Sequence, residues 1–176
     1  MKPTTLLLTL MVSVVATSSL VAQATYIGAA KCGMCHKSEK SGNQLGAWEK
    51  SEHSKAFALL TTPKADEIAK GKGLTTKAAE SADCLSCHTT GGPTSGILPA
   101  EGVSCEACHN AGSGYKGLAV MKDKAAAVAA GLQKFDSPAA IEAKCRTCHN
   151  EKSPTAKKFE FEESWAKIKH PKPAAP

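Results

Sequence analysis

Cys105-Glu106-Ala107-Cys108-His109 decides how this chain is read, because the same pattern recurs at Cys32-Gly33-Met34-Cys35-His36, Cys84-Leu85-Ser86-Cys87-His88 and Cys145-Arg146-Thr147-Cys148-His149. All eight cysteines fall into these four Cys-x-x-Cys pairs, and a histidine directly follows each pair. Paired cysteines alone admit a disulfide framework, zinc sites or covalent attachment of c-type haem. The histidine separates the three. Disulfides have no use for it, zinc thiolate sites place histidines at looser spacings, and haem attachment demands it. Two cysteines three positions apart lie on one side of a helical turn, where both can form thioethers to the porphyrin vinyl groups. The adjacent histidine then points at the iron. The motifs therefore predict four covalently attached c-type haems, held by Cys32, Cys35, Cys84, Cys87, Cys105, Cys108, Cys145 and Cys148. Their proximal iron ligands are His36, His88, His109 and His149.

Composition points the same way. Only 5% of the 176 residues are aromatic, and much of the 42% hydrophobic fraction is alanine. A single domain of this length ordinarily buries most of its surface around large apolar side chains. Here the porphyrins are expected to supply that mass. The fold class predicted is mostly α with long loops, wrapped around four covalent haems, with little or no β-sheet.

The first residues read as a secretory signal peptide over 1–24. Lys2 precedes an apolar run from Leu6 to Val15, which is too short to span a bilayer, and Ala22-Gln23-Ala24 suits cleavage before Thr25. Residues 25–176 then form one tetrahaem domain, exported to the periplasm or beyond, with 171–176 a mobile tail. No other segment is apolar enough to enter a membrane. The formal charge of +6 falls to +5 without Lys2. Ferric haems with ionised propionates carry about −1 each and bring it to about +1. There is no phosphate loop and no basic stripe interleaved with aromatics, so nucleic acid is not an expected partner.

Three helices are predicted. One covers 44–60, with Leu45, His53, Phe57 and Leu60 near one face. The second spans 118–130, stopped by Gly131, and the third spans 162–169, ended by Pro171. Residues 64–83 read as broken helix and loop around Gly71 and Gly73, with turns at Gly91-Gly92-Pro93 and Gly112-Ser113-Gly114.

The flanking residues resemble the cytochrome c-554 and c-prime type multihaem cytochromes. Tyr26-Ile27-Gly28-Ala29-Ala30-Lys31-Cys32 is similar to the family opening. The run from Trp48 to Phe57 resembles its Trp-x-x-(Ser/Thr)-x-His-x-x-Ala helix, and Gly102-Val103-Ser104-Cys105-Glu106-Ala107-Cys108-His109 resembles its Gly-Val-x-Cys-Glu-x-Cys-His signature. The resemblance implies a small electron carrier working between a redox donor and an acceptor. It also implies distal ligands at His53 and His170, and an open iron at the haem of His88.

With four histidines used proximally, only His53 and His170 remain for four distal positions. The family's third distal histidine lies after the third motif, where residues 110–130 contain none. Met121 is the sulfur donor in that segment and is the expected replacement. Two other functions stay in view: a redox enzyme acting on a small nitrogen oxide at an open iron, and a haem wire built from copies of the chain.

Overall fold

The computed structural model describes residues 23–96 and 99–171. The signal peptide and the tail expected from the sequence fall outside the described residues, apart from residues 23, 24 and 171. Ten helices are described in chain order: α1 (Ala29–His36), α2 (Gln44–Glu49), α3 (Ala56–Leu60), α4 (Pro63–Gly71), α5 (Ala82–His88), α6 (Cys105–His109), α7 (Leu118–Lys122), α8 (Lys124–Ala129), α9 (Pro138–Cys145) and α10 (Phe161–Ile168). Short 3₁₀ turns join several of them, and no strand occurs among the described residues. The fold is mostly helical, as composition and motifs predict. None of these helices is long and apolar enough to cross a membrane.

The single helix expected over 44–60 is instead three pieces: α2, a 3₁₀ turn at Glu52–Lys55, and α3. Serine breaks it. Ser51 adopts an extended backbone (φ −82°, ψ 159°), and the hydroxyls of Ser51 and Ser54 donate to the carbonyls of Trp48 and Ser51 at 2.7 and 2.8 Å, competing with the helical ladder. The helix expected over 118–130 also divides, at Asp123. Its backbone is extended (φ −107°, ψ 109°), and its carboxylate caps α8 by accepting from the amides of Ala125 and Ala126. Gly131 ends α8 as expected, with φ +105°. The last helix falls within one residue of its predicted limits.

Conventional core is scarce. Leu60, Ala69, Ala78 and Leu85 form the buried cluster, with Phe57, Ala65, Leu74, Ala79 and Cys84 packed against it. Burying a leucine is worth about 1.5–3 kcal/mol, whereas ordering one residue costs about 1–2 kcal/mol. Two leucines and two alanines therefore cannot hold a chain of this length. Large apolar side chains also stand outside any core: Met34 is 67% exposed, Leu118 65% and Leu59 55%.

The largest fully buried side chains are polar, Glu106 and Thr90. Glu106 sits on α6, inside the third motif, and its carboxylate accepts from the amides of Ile27 (3.0 Å), Gly28 (2.8 Å) and Gly112 (2.6 Å). Glu101 accepts from Ala29 at 2.9 Å, at the start of α1. Two carboxylates thus clamp the opening segment onto the third motif, and all three donors of Glu106 keep a partner away from water. Glu106→Ala removes the acceptor and leaves those donors unmatched. The variant is expected to lose at least about 3 kcal/mol of stability, read as a lowered midpoint in guanidinium unfolding of the haem-loaded protein.

Candidate haem-binding site

Each Cys-x-x-Cys-His segment forms or ends a short helix: the first motif lies in α1, the second in α5 and the third in α6, while the fourth begins at the last residue of α9. Helix α9 escapes the sequence analysis above, although Ser137-Pro138 is a start signal. The Ser137 hydroxyl accepts from the amide of Ala140, and Pro138 takes the first helical position. None of the eight thiols is in a disulfide. Among the described residues no three His, Cys, Asp or Glu side chains converge to hold a metal ion, as a closed zinc site requires.

The motif histidines are oriented from behind. The Nδ1 atoms of His88 and His109 lie 2.8 and 3.0 Å from the carbonyl oxygens of Ala56 and Gln133, and Nδ1 of His36 lies 3.3 Å from Oε1 of Gln44. A carbonyl oxygen only accepts, so each Nδ1 carries the proton and Nε2 keeps its lone pair for a metal. His149 makes a different contact. Its ring stacks on Phe159 at 4.9 Å between centroids, and the Arg146 guanidinium covers the same phenylalanine. Burial pushes His53, His109 and His149 below the usual imidazole range, aided for His53 by His149, for His109 by His170 and His36, and for His149 by His88. Neutral imidazole is the form that ligates iron.

Two pairs of histidine rings lie close together. The ring centroids of His53 and His149 are 6.0 Å apart at 50°, and those of His109 and His170 are 6.0 Å apart at 45°. A metal–imidazole nitrogen bond is about 2 Å, and the ring centroid lies about 1 Å further on, so one iron between two axial imidazoles separates their centroids by about 6 Å. The tilts are compatible because each ring can turn about its metal–nitrogen axis. The residues present therefore fit haem iron. His53 would be the distal partner of His149, and His170 that of His109. Neither His36 nor His88 faces another histidine ring among the described residues. Met121 lies half-buried on α7, and its side chain makes no described contact with a motif histidine.

The motifs are not ordered in space as they are in sequence. The Cys32 thiol donates to the carbonyl of Gly28 at 3.7 Å, and Cys105 lies close enough to push the Cys32 thiol up while its own is held down. Cys148 is raised by burial and then by its contacts with Cys87. Cys108 is raised by burial, with Cys145 and Cys148 adding to it. First and third motifs are thus neighbours, as are third and fourth, and fourth and second. The second and third motifs are neighbours as well, since Thr90 bonds to Gly102 and Ser104.

Paired cysteines, backed histidines and two close histidine pairs are what a c-type cytochrome needs. Residues 31–110, which span the first three motifs, match the family model of cytochrome c554 and c-prime, and over that segment the chain is similar to this family. No curated protein and no solved structure matches the chain.

Gln44 is a residue that the motifs do not point to. Besides accepting from His36, its Nε2 donates to the carbonyl of Pro171 at 3.1 Å, and Nδ1 of His170 lies 3.2 Å from the same oxygen. Gln44→Leu takes the acceptor from His36 and makes that ligand less basic. The potential of one haem is expected to rise on the order of tens of mV in a redox titration, with all attached haem retained.

Proposed function

We propose that residues 25–176 form a single exported domain, a tetrahaem c-type cytochrome that relays electrons between redox proteins in the periplasm. When bound, the haems supply reversible one-electron chemistry at potentials set by axial ligands and burial. The observation that carries the reading is the gathering of the motifs: α1 packs on α6, Thr90 ties the second motif to the residues before the third, and the rings of His53 and His149 lie 6.0 Å apart.

The chain's own residues have three tasks in this reading. Four cysteine pairs anchor the haems, four histidines ligate from the proximal side, and His53 and His170 close two distal sides. Met121 is assigned to the haem of His36, on the sequence argument that residues 110–130 offer no histidine. The haem of His88 is then left open. A positive charge of +4 belongs to residues 110–171, whereas 23–109 are balanced. An acidic redox partner would accordingly be steered towards the part of the chain that carries His149 and His170.

The count is tested by intact mass together with a pyridine haemochrome assay, with four haems per mature chain expected and three or fewer refuting it. His53→Ala and His170→Ala should each convert one low-spin haem to high spin in low-temperature paramagnetic resonance, without loss of haem. Met121→Leu should abolish the weak sulfur-to-iron absorption near ~695 nm and lower the highest potential of the set if the deleted thioether gives way to a nitrogen ligand. Spectra and potentials unchanged from wild type would make Met121 a packing residue.

A further inference from the structure

Three residues before the third motif, Gly102 sits with φ +61°, a conformation that side chains with a Cβ rarely adopt. Space is even more restrictive than conformation here. A Cβ at this position would stand 2.5 Å from the carbonyl oxygen of His53, 3.0 Å from that of Ser54 and 3.2 Å from the amide of Ala56. The backbone of the 3₁₀ turn that carries His53 therefore rests directly on Gly102. The next residue grips that turn, since the amide of Val103 donates to the carbonyl of His53 at 2.9 Å. Trp48, at the end of α2, donates from Nε1 to the carbonyl of Val103 at 2.8 Å.

The platform is itself immobilised. The amide and hydroxyl of buried Thr90 donate to the carbonyl of Gly102 at 2.9 and 3.1 Å, and the same hydroxyl oxygen accepts from the amide of Ser104 at 2.7 Å. His53 has no described hydrogen bond to its own ring. The direction of that ring towards His149 is set through its main chain.

We propose that Gly102 is the positioning residue for His53: by lacking a side chain it lets the turn seat on the Gly102–Ser104 backbone, and this seating puts the His53 imidazole opposite His149. The inference rests on the reading of His53 as a distal ligand. The turn serves a second histidine too, because the carbonyl of Ala56 accepts from His88. A shift of the turn should thus reach two motifs, the fourth through His53 and the second through His88.

The test compares Gly102→Ala, His53→Ala and the double variant in the haem-loaded protein, by paramagnetic resonance and by titration with free imidazole. Gly102→Ala should lose one low-spin signal with all haems still attached. Added imidazole should restore it, which a globally disrupted protein would not allow. The double variant should be no worse than His53→Ala, as two changes acting through one ligand are not additive. If His53→Ala changes the spin state and Gly102→Ala does not, or if its loss resists imidazole, the role of Gly102 is refuted. If His53→Ala itself changes nothing, the underlying ligand reading falls with it. Should Gly102→Ala fail to accumulate, Trp48→Phe removes only the bond to Val103. A partial high-spin signal there supports the seating, and an unchanged spectrum overturns it.

Discussion

The carboxylate of Glu106 is almost wholly shielded from solvent and holds three backbone amides drawn from two distant parts of the chain. A buried charge is costly unless its hydrogen bonds are complete, so this contact is all or nothing. With Ile27 and Gly28 tied to α6, the helix that follows them is laid beside the third motif, and Cys32 meets Cys105. The Thr90 contacts do the same for the second motif. They fasten the residues just after His88 to the residues just before Cys105. The meeting of the first and second motifs with the third is an outcome of these polar clamps.

Polar clamps suit a protein whose interior is cofactor. A side-chain core sets the relative position of its helices through apolar contact over large areas. Here the buried apolar cluster around Leu60 and Leu85 is small, and the helices are short, five to nine residues each. Short helices are marginal in themselves. Hydrogen bonds from fixed backbone points to buried carboxylate and hydroxyl groups can orient them where apolar contact is small. The same logic places an acceptor behind three of the motif histidines, which leaves Nε2 as the ring atom free to bind metal.

Much of this was legible in the sequence and some was not. The cysteine pairs, their histidines, the predominance of helix and the end of α8 at Gly131 all follow from local pattern. The breaks at Ser51 and Asp123 do not, because periodicity reports which residues could share a face and is silent on side chains that capture backbone amides or carbonyls. Helix α9 escaped since its alanine-rich turn has almost no apolar contrast, although its Ser-Pro start was present. Gln44 could not have been found from spacing. Its role rests on Oε1 reaching Nδ1 of His36, a side-chain contact that motif spacing does not report.

What the sequence by itself determined is the chemistry: eight thiols in four pairs, each followed by an imidazole, admit a narrow set of covalent outcomes, and three residues of spacing put both thiols on one helical face. What only the tertiary structure decided is pairing. Nothing in the order of residues says that the ring of His53 lies near that of His149, that the ring of His170 lies near that of His109, or that the first and second motifs both meet the third. Those relations depend on contacts between residues tens of positions apart, made by clamps such as Glu106 on Ile27 and Gly102 under His53. Such contacts have no local period to betray them, because they arise when the chain folds back on itself.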